Sequence, residues 1–241
     1  QQEAILEIDR MITAGEKTYV VTPNLDHVVK LERDADFERC YNKAGLVLAD
    51  GNPLVWASKL LGTPLKALVT GSDLFPALCA HAAAKGYRMF FLGGLEGVGQ
   101  KAADELKKQY PQINIVGVYS PPFGFDKNKA ENEKIITMIN AVKPHLLFVG
   151  VGAPKQEKWM YNNIDQLDIN VALGIGASFD FVAGTIKRAP AAFRKMGMEW
   201  FWRFSNEPRR LFRRYFIDSA AFVPIIYKQM KAAKEAKQKS V

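Results

Sequence analysis

The runs RMFFL (88–92), LLFV (146–149) and NVAL (170–173) are apolar at almost every position. They lack the in–out alternation of a half-solvated strand. A strand of this kind must be covered on both faces, which is the situation of a parallel sheet sandwiched between helices. Thr18–Val21, Leu46–Ala49 and Ile113–Tyr119 fit the same reading. Between these runs the spacing predicts helices over Pro53–Leu61, Ser72–Lys85, Val98–Tyr110, Lys127–Val142 and Lys155–Asn162. Alternation of this order predicts an α/β fold, a largely parallel sheet with helices on both faces.

Three of the predicted strands run into glycine-bearing loops. FFLGGLEGVG carries Gly93 and Gly94, FVGVGAP carries Gly150 and Gly152, and ALGIGASFD carries Gly174 and Gly176. Glycine lets a backbone come close to a ligand, and the next helix start offers unpaired N–H groups to an anion. Neither the dinucleotide fingerprint nor the Walker pattern is present. The stretch GVGAPKQEKW (150–159) concentrates the question, because Lys155, Gln156, Glu157 and Lys158 follow such a loop directly. Two readings stay open from the residues alone: a nucleotide or phosphosugar site, or well-made strand-to-helix connections.

VLADGNP sets Asp50 just beyond an apolar run, where a carboxylate can face the ligand crevice of such a sheet. The same residue, or Asn52, can instead cap the helix that Pro53 opens. TPNLDH contributes Thr22 and Asn24, two apart and so on one side of an extended chain; they suit a sugar, a phosphate or a turn. Asp180, between GIGASF and FVAG, suits a ligand or a turn. Asp34 and Asp36 sit in the charged run DADFER and read as solvated. His27, His81 and His145 make no metal-ligand spacing, and His145 reads as part of the turn into its strand. No Asp-x-Asp pair stands near a strand end, so no metal site and no cofactor are expected. Cys40 and Cys79 form neither a metal motif nor a disulfide framework. The chain starts at Gln1 and not at an initiator Met, which leaves room for a preceding segment such as a first strand; no apolar signal-like run opens it.

The formal charge of +8 on 241 residues is unevenly placed. Residues 187–241 hold 14 Lys/Arg against 4 Asp/Glu, whereas the residues before them hold 19 against 21. The basicity belongs to the tail. Advancing 100° per residue from Leu211 gathers Pro208, Leu211, Phe212, Tyr215 and Phe216 on one side, and Arg209, Arg210, Arg213 and Arg214 on the other. Nucleic acid would take the arginines but has no use for a separate aromatic face. An anionic membrane surface takes both. Packing onto the chain's own domain, or onto a partner subunit in a homo-oligomer, is the other way to cover that face. A membrane span is not expected, because the apolar stretch Ala220–Tyr227 is far shorter than the roughly 20 residues a span requires. The expected organisation is a body over 1–190 and a basic amphipathic appendage over 191–241.

Taken together, TPNLDH, ADGNPLVWASKLLGTP, TGSDL, FFLGG, FVGVGAPKQEKW, GIGASFDFVAGTIKRAP and MEWFWRFSNEPRRLFRRY resemble the WecG/TagA/CpsF family of bacterial glycosyltransferases. The resemblance runs in order from about Thr22 to Tyr215. It implies a Rossmann-like domain with a C-terminal membrane-targeting appendage at the cytoplasmic face of the plasma membrane. The implied reaction is metal-independent, inverting transfer of a hexosyl residue from a UDP-sugar. The acceptor is a polyprenyl-diphosphate-linked sugar, usually N-acetylglucosamine. N-acetylmannosamine is the first expectation for the sugar moved, and glucose the alternative; an inactive nucleotide-sugar-binding scaffold is the rival of another class.

Carried onto this sequence, the family's proposed general base falls on Asp50. Its sugar-site element falls on Thr22 and Asn24, its P-K-Q-E glutamine on Gln156, and its tail arginines on Arg203, Arg209, Arg210, Arg213 and Arg214. Gly93, Gly94, Gly152, Gly176 and Asp180 complete the expected substrate-binding set. One position departs from the pattern: Leu68 stands where many members carry an arginine in R-V-x-G-x-D-L.

Overall fold

The computed structural model describes residues 1–190, 193, 198–206, 208–212 and 218–239. Six strands form one sheet: β1 Thr18–Val21, β2 Leu46–Val47, β3 Arg88–Gly93, β4 Asn114–Tyr119, β5 Leu146–Gly150 and β6 Val171–Gly174. Their order is β2-β1-β6-β5-β3-β4, and every pairing is parallel. The expected parallel α/β architecture is what forms. The edge strand β2 is shorter than the predicted Leu46–Ala49, although one further bond, Leu48 N–H to Val21 O at 3.0 Å, carries the ladder on.

The helices are α1 Gln2–Thr13, α2 Leu25–Leu31, α3 Ala35–Asn42, α4 Asn52–Leu60, α5 Gly71–Lys85, α6 Val98–Gln109, α7 Lys129–Val142, α8 Lys155–Asn163 and α9 Ser178–Ala183. In the tail they are α10 Glu199–Asn206, α11 Pro208–Phe212 and α12 Asp218–Lys239. The run predicted as one helix from Lys127 instead begins with a single 3₁₀ turn, Phe125–Lys127. Asn128 then caps α7, its side chain accepting from Glu131 N–H. That bond satisfies a donor that a continuous helix would have left to its own carbonyls.

The described residues group into two compact units. The first comprises Gln1–Thr22, Asp36–Leu48 and Val69–Lys187, and contains the sheet. One face is covered by α1, α5, α6 and α9, whose buried residues include Ile8, Leu78, Ala102 and Phe179. The other face is covered by α7 and α8 through Ile135, Ile139, Trp159 and Met160. Phe75, Phe91, Phe148 and Phe179 pack on the first face with ring centroids 4.9–5.7 Å apart, mostly edge to face. Each such pair adds about 1 kcal/mol beyond its buried area.

The second unit comprises Pro23–Ala35, Ala49–Leu68 and Arg188–Val241. It is helical. Val29 of α2, Ala57 of α4 and Phe222 of α12 form its small core, with Leu25, Leu54, Ile225 and Ile226 packed against them. Lys228 of α12 approaches Glu32 at 3.6 Å. The last segment of this unit starts at Arg188. Segments 23–35 and 49–68 lie far from the tail in sequence and share its small core.

Candidate active site

In a sheet of this order the chain reverses direction between β3 and β5. The helix after β3 lies on one face and the helix after β5 on the other, which opens a crevice beyond the strand ends. Gly93 and Gly150 meet at that point. Gly93 has φ 123°, and a Cβ on it would stand 2.5 Å from Gly150 O. Gly94 N–H donates to the same carbonyl at 2.9 Å. On Gly150 a Cβ would strike the Phe179 ring at 2.7 Å. These glycines therefore let two strand ends and an aromatic cluster close up. Gly152, at φ 83°, has nothing within 4 Å of its missing Cβ and borders open space.

Gln156 lies in the first turn of α8, after the cis Ala153–Pro154 bond. It is 2% exposed. Its Oε1 accepts from Gly176 N–H at 3.1 Å and its Nε2 donates to Glu157 Oε1 at 2.8 Å. One side chain thus ties the loop after β5 to the loop after β6, and it fits because Gly174 beside it carries no Cβ. Thr22, at the end of β1, is buried and donates through Oγ1 to Gly174 O at 3.2 Å. Asp180 accepts from Thr185 Oγ1 at 3.2 Å and from Thr185 N–H at 3.0 Å, so it shapes the turn that closes α9. Within the sheet unit, Thr22, Gly93, Gly94, Gly152, Gln156 and Gly176 all stand at the ends of parallel strands.

Asn24 and Asp50 belong to the helical unit. Asn24 caps α2, its side chain accepting from His27 N–H at 3.4 Å. Asp50 donates its backbone N–H to Pro23 O at 2.7 Å, which joins the two polar segments. Neighbouring strands prepare that meeting: Val21 and Val47 are in register, and each strand hands on the chain that follows it. The N-cap position of α4 falls on Gly51, which has no side chain to offer, and not on Asp50. Asp50 is half-buried.

Arg203 lies in α10, Arg209 and Arg210 lie in α11, and Arg209 is exposed. Arg213 and Arg214 lie outside the described residues. Leu68 is exposed at the end of the loop that follows α4. No helix among the described residues is long and apolar enough to cross a membrane. Among the same residues no group of three His, Cys, Asp or Glu is arranged to hold a metal ion. His145 sits just before β5, in the turn expected for it; it accepts from Arg88 N–H through Nδ1 at 2.9 Å, and its own N–H and C=O bond Arg88 and Val171, so it also joins strands.

Two features of the sheet unit escape a linear reading. Glu157 is fully buried beside Gln156, although KQEK looks like a solvated run. Lys155 and Lys158 also line a groove of about 570 Å³ together with Lys127, Lys129 and Asn132. Thr22, the strand-end glycines and Gln156 are not among its walls, so the groove is distinct from the crevice.

Comparison with known proteins agrees with this geometry. The family described as Glycosyl transferase WecG/TagA/CpsF matches residues 1–236. An N-acetylglucosaminyldiphosphoundecaprenol N-acetyl-beta-D-mannosaminyltransferase of Bacillus spizizenii is 33% identical over 192 residues, 80% of this chain and 72% of that protein. The protein of the same name from Staphylococcus aureus is 31% identical over 221 residues, 91% of this chain and 82% of its own length. With its parallel sheet, its glycine-lined strand ends and a match along nearly its whole length, the chain belongs to the WecG/TagA/CpsF family of glycosyltransferases.

Proposed function

We propose that this glycosyltransferase moves N-acetylmannosamine from UDP to N-acetylglucosamine on a polyprenyl diphosphate, with inversion, and that Asp50 is the general base. The activity for which both relatives are named supports the sugar and the acceptor. For the base, the supporting observation is the 2.7 Å bond from Asp50 N–H to Pro23 O, which brings the segment of half-buried Asp50 to the segment of Pro23 and Asn24, while the N-cap of α4 falls on Gly51.

The chemistry needs one displacement. A hydroxyl of the acceptor sugar attacks C1 of the donor and its proton passes to the Asp50 carboxylate as the new C–O bond forms. The bond from C1 to the UDP oxygen breaks on the opposite face, so the anomeric centre inverts. Charge grows on the departing diphosphate. Backbone N–H groups around Gly152 and the tail arginines are the donors suited to it. Thr22, Gln156 and the bonded glycines act by holding the strand-end loops in one geometry, so that these N–H groups need not be reorganised during transfer. The substrate's lipid tether calls for a peripheral enzyme at an anionic membrane surface. In the helical unit, α12 offers Val223, Tyr227, Lys228 and Lys231 to solvent.

The test is Asp50→Asn, assayed with UDP-N-acetylmannosamine, and with UDP-glucose as competing donor, on a polyprenyl-diphosphate-linked N-acetylglucosamine acceptor. We expect kcat to fall about 10²–10⁴-fold with donor binding retained. Undiminished turnover would remove Asp50 from the mechanism. Preference for UDP-glucose would overturn the donor assignment.

A further inference from the structure

Helix α4 and the loop after it have a surface that water does not explain. Trp56 is 65% exposed and Leu60 is 61% exposed, one helical turn apart on α4. Leu65 and Leu68 follow, both exposed, in a loop from Gly62 to Leu68 that is exposed throughout. Single exposed leucines are ordinary; four large apolar side chains within thirteen residues of one short helix and loop are not.

The loop is not a loose strand of chain. Thr63 N–H donates to Ser58 O at 2.9 Å and Leu65 N–H donates to Ser58 Oγ at 3.0 Å. Ser58 Oγ in turn donates to Val55 O at 2.8 Å, and Ser58 is buried. These bonds fold the loop back on α4 and hold Leu65 next to the helix. The apolar side chains are therefore presented by a built scaffold.

The charge on this segment has one sign. From Gly51 to Ser72 there is no Asp or Glu, and the charged residues are Lys59 and Lys66, both exposed. The solvent-facing side of α6 differs, carrying acid and base together, with Lys108 paired to Glu105. A symmetric contact between two copies would set Lys59 against its own kind with no acid on the segment to answer it. An anionic bilayer answers both requirements. Its headgroups take Lys59, its acyl boundary takes the leucines, and an indole is at home between the two.

We infer that residues 56–68 are a second bilayer-docking surface, distinct from the basic tail, that seats Trp56, Leu60, Leu65 and Leu68 at the headgroup–acyl boundary of an anionic membrane. The inference rests on the peripheral-membrane reading and adds a place to it. Helix α4 begins at Asn52, two residues after Asp50, so at 1.5 Å per residue Trp56 stands about 6 Å along the helix from its start. Docking through α4 brings the proposed base near the plane at which a lipid-linked diphosphate emerges.

The native cysteines are both buried, so a thiol-reactive environment-sensitive dye can be placed at one chosen site of the full-length protein. Thr63→Cys sets it on the loop and leaves all four apolar side chains; Gln229→Cys sets it on α12. The probe is a phosphatidylglycerol/phosphatidylethanolamine vesicle with or without brominated acyl chains. We expect quenching by bromine at position 63, and about tenfold weaker vesicle partitioning for the combined Trp56→Ser, Leu60→Ser, Leu65→Ser protein. Quenching at 229 without quenching at 63 would overturn the inference and leave the tail reading standing. Quenching at neither would overturn both. A dye signal at 63 that grows with protein concentration in the absence of vesicles would hand the face to a second copy, and undiminished partitioning of the triple variant would also overturn it.

Discussion

The strand-end loops of the sheet unit and the α4 face of the helical unit contain similar proportions of small and apolar residues, and the fold uses them in opposite ways. At the strand ends the atoms are committed to one another. Gly93 makes room for Gly150, the Gln156 amide spans two loops, and the Thr22 hydroxyl is spent on a carbonyl. On α4 a tryptophan and three leucines are held away from any core by a loop pinned to Ser58. A loop network that has satisfied itself is stiff, which suits a pocket that must stabilise a developing charge without reorganising. A surface that leaves its apolar groups in water awaits a partner.

The largest effect that would sharpen this contrast is expected at Gly93. In Gly93→Ala, the new Cβ meets a backbone carbonyl at 2.5 Å, and the residue must hold φ 123°, where side chains are rarely tolerated. The neighbour is backbone in a central strand and cannot step aside. We expect a loss of about 3 kcal/mol in urea unfolding, as overpacking and left-handed strain combine. A variant as stable as the parent would show that the strand ends have slack and would weaken the claim of a rigid crevice.

Much of the sheet could be read from residue types, because an apolar run such as RMFFL can only be a strand covered on both faces. Helices with a clear start, such as α8 after Pro154, were equally plain. Helix α1 was missed although Ile5, Ile8, Met11 and Ile12 carry helical spacing and are buried. It lies before the first strand, outside the strand–helix alternation that organised the reading. Helix α2 hid inside TPNLDH because its capping asparagine is also a turn former, and α9 hid between the glycines at 176 and 184. At the candidate site, the residue types were legible and the bonds were not. That Gln156 reaches Gly176, or that Gly93 abuts Gly150, depends on the sheet order, which pairs strands far apart in sequence. The exposure of Trp56 and Leu60 was equally hidden, since WASKLL spaces its apolar residues as a buried helix would.

A smaller effect is a pH dependence within the sheet unit. His145 joins β3 to β5 with Nδ1 as an acceptor, which requires a neutral ring. Burial, and then the nearby Arg88 charge, hold its pKa below the usual imidazole value. The unfolded chain takes up a proton as pH falls through about 6.5, whereas the folded protein resists until a lower pH, so stability declines over that interval. Asp9 on α1 is lowered chiefly by its hydrogen bond to His81, and its contribution, present above about pH 4, is lost as pH falls through the folded value. Urea titrations should give a slope shallower than one proton between pH 7 and 5, and His145→Gln should flatten it. A wild-type curve already flat over that range would remove His145 as its source.

The smallest expected effect carries the other half of the contrast. Leu60→Ser trades an isobutyl group for a hydroxymethyl at a position 61% exposed on α4. Little buried area is lost and the helix keeps its hydrogen bonds, so unfolding should change by no more than about 0.5 kcal/mol. A core leucine would cost about 2–5 kcal/mol on truncation. The measurement therefore separates an apolar residue kept for the fold from one kept for something outside it. A loss of 2 kcal/mol in urea would mean that Leu60 is covered in solution by protein, and the face would then belong to the molecule's own packing. Near-neutral stability combined with weakened vesicle partitioning is the outcome that assigns it to a lipid surface.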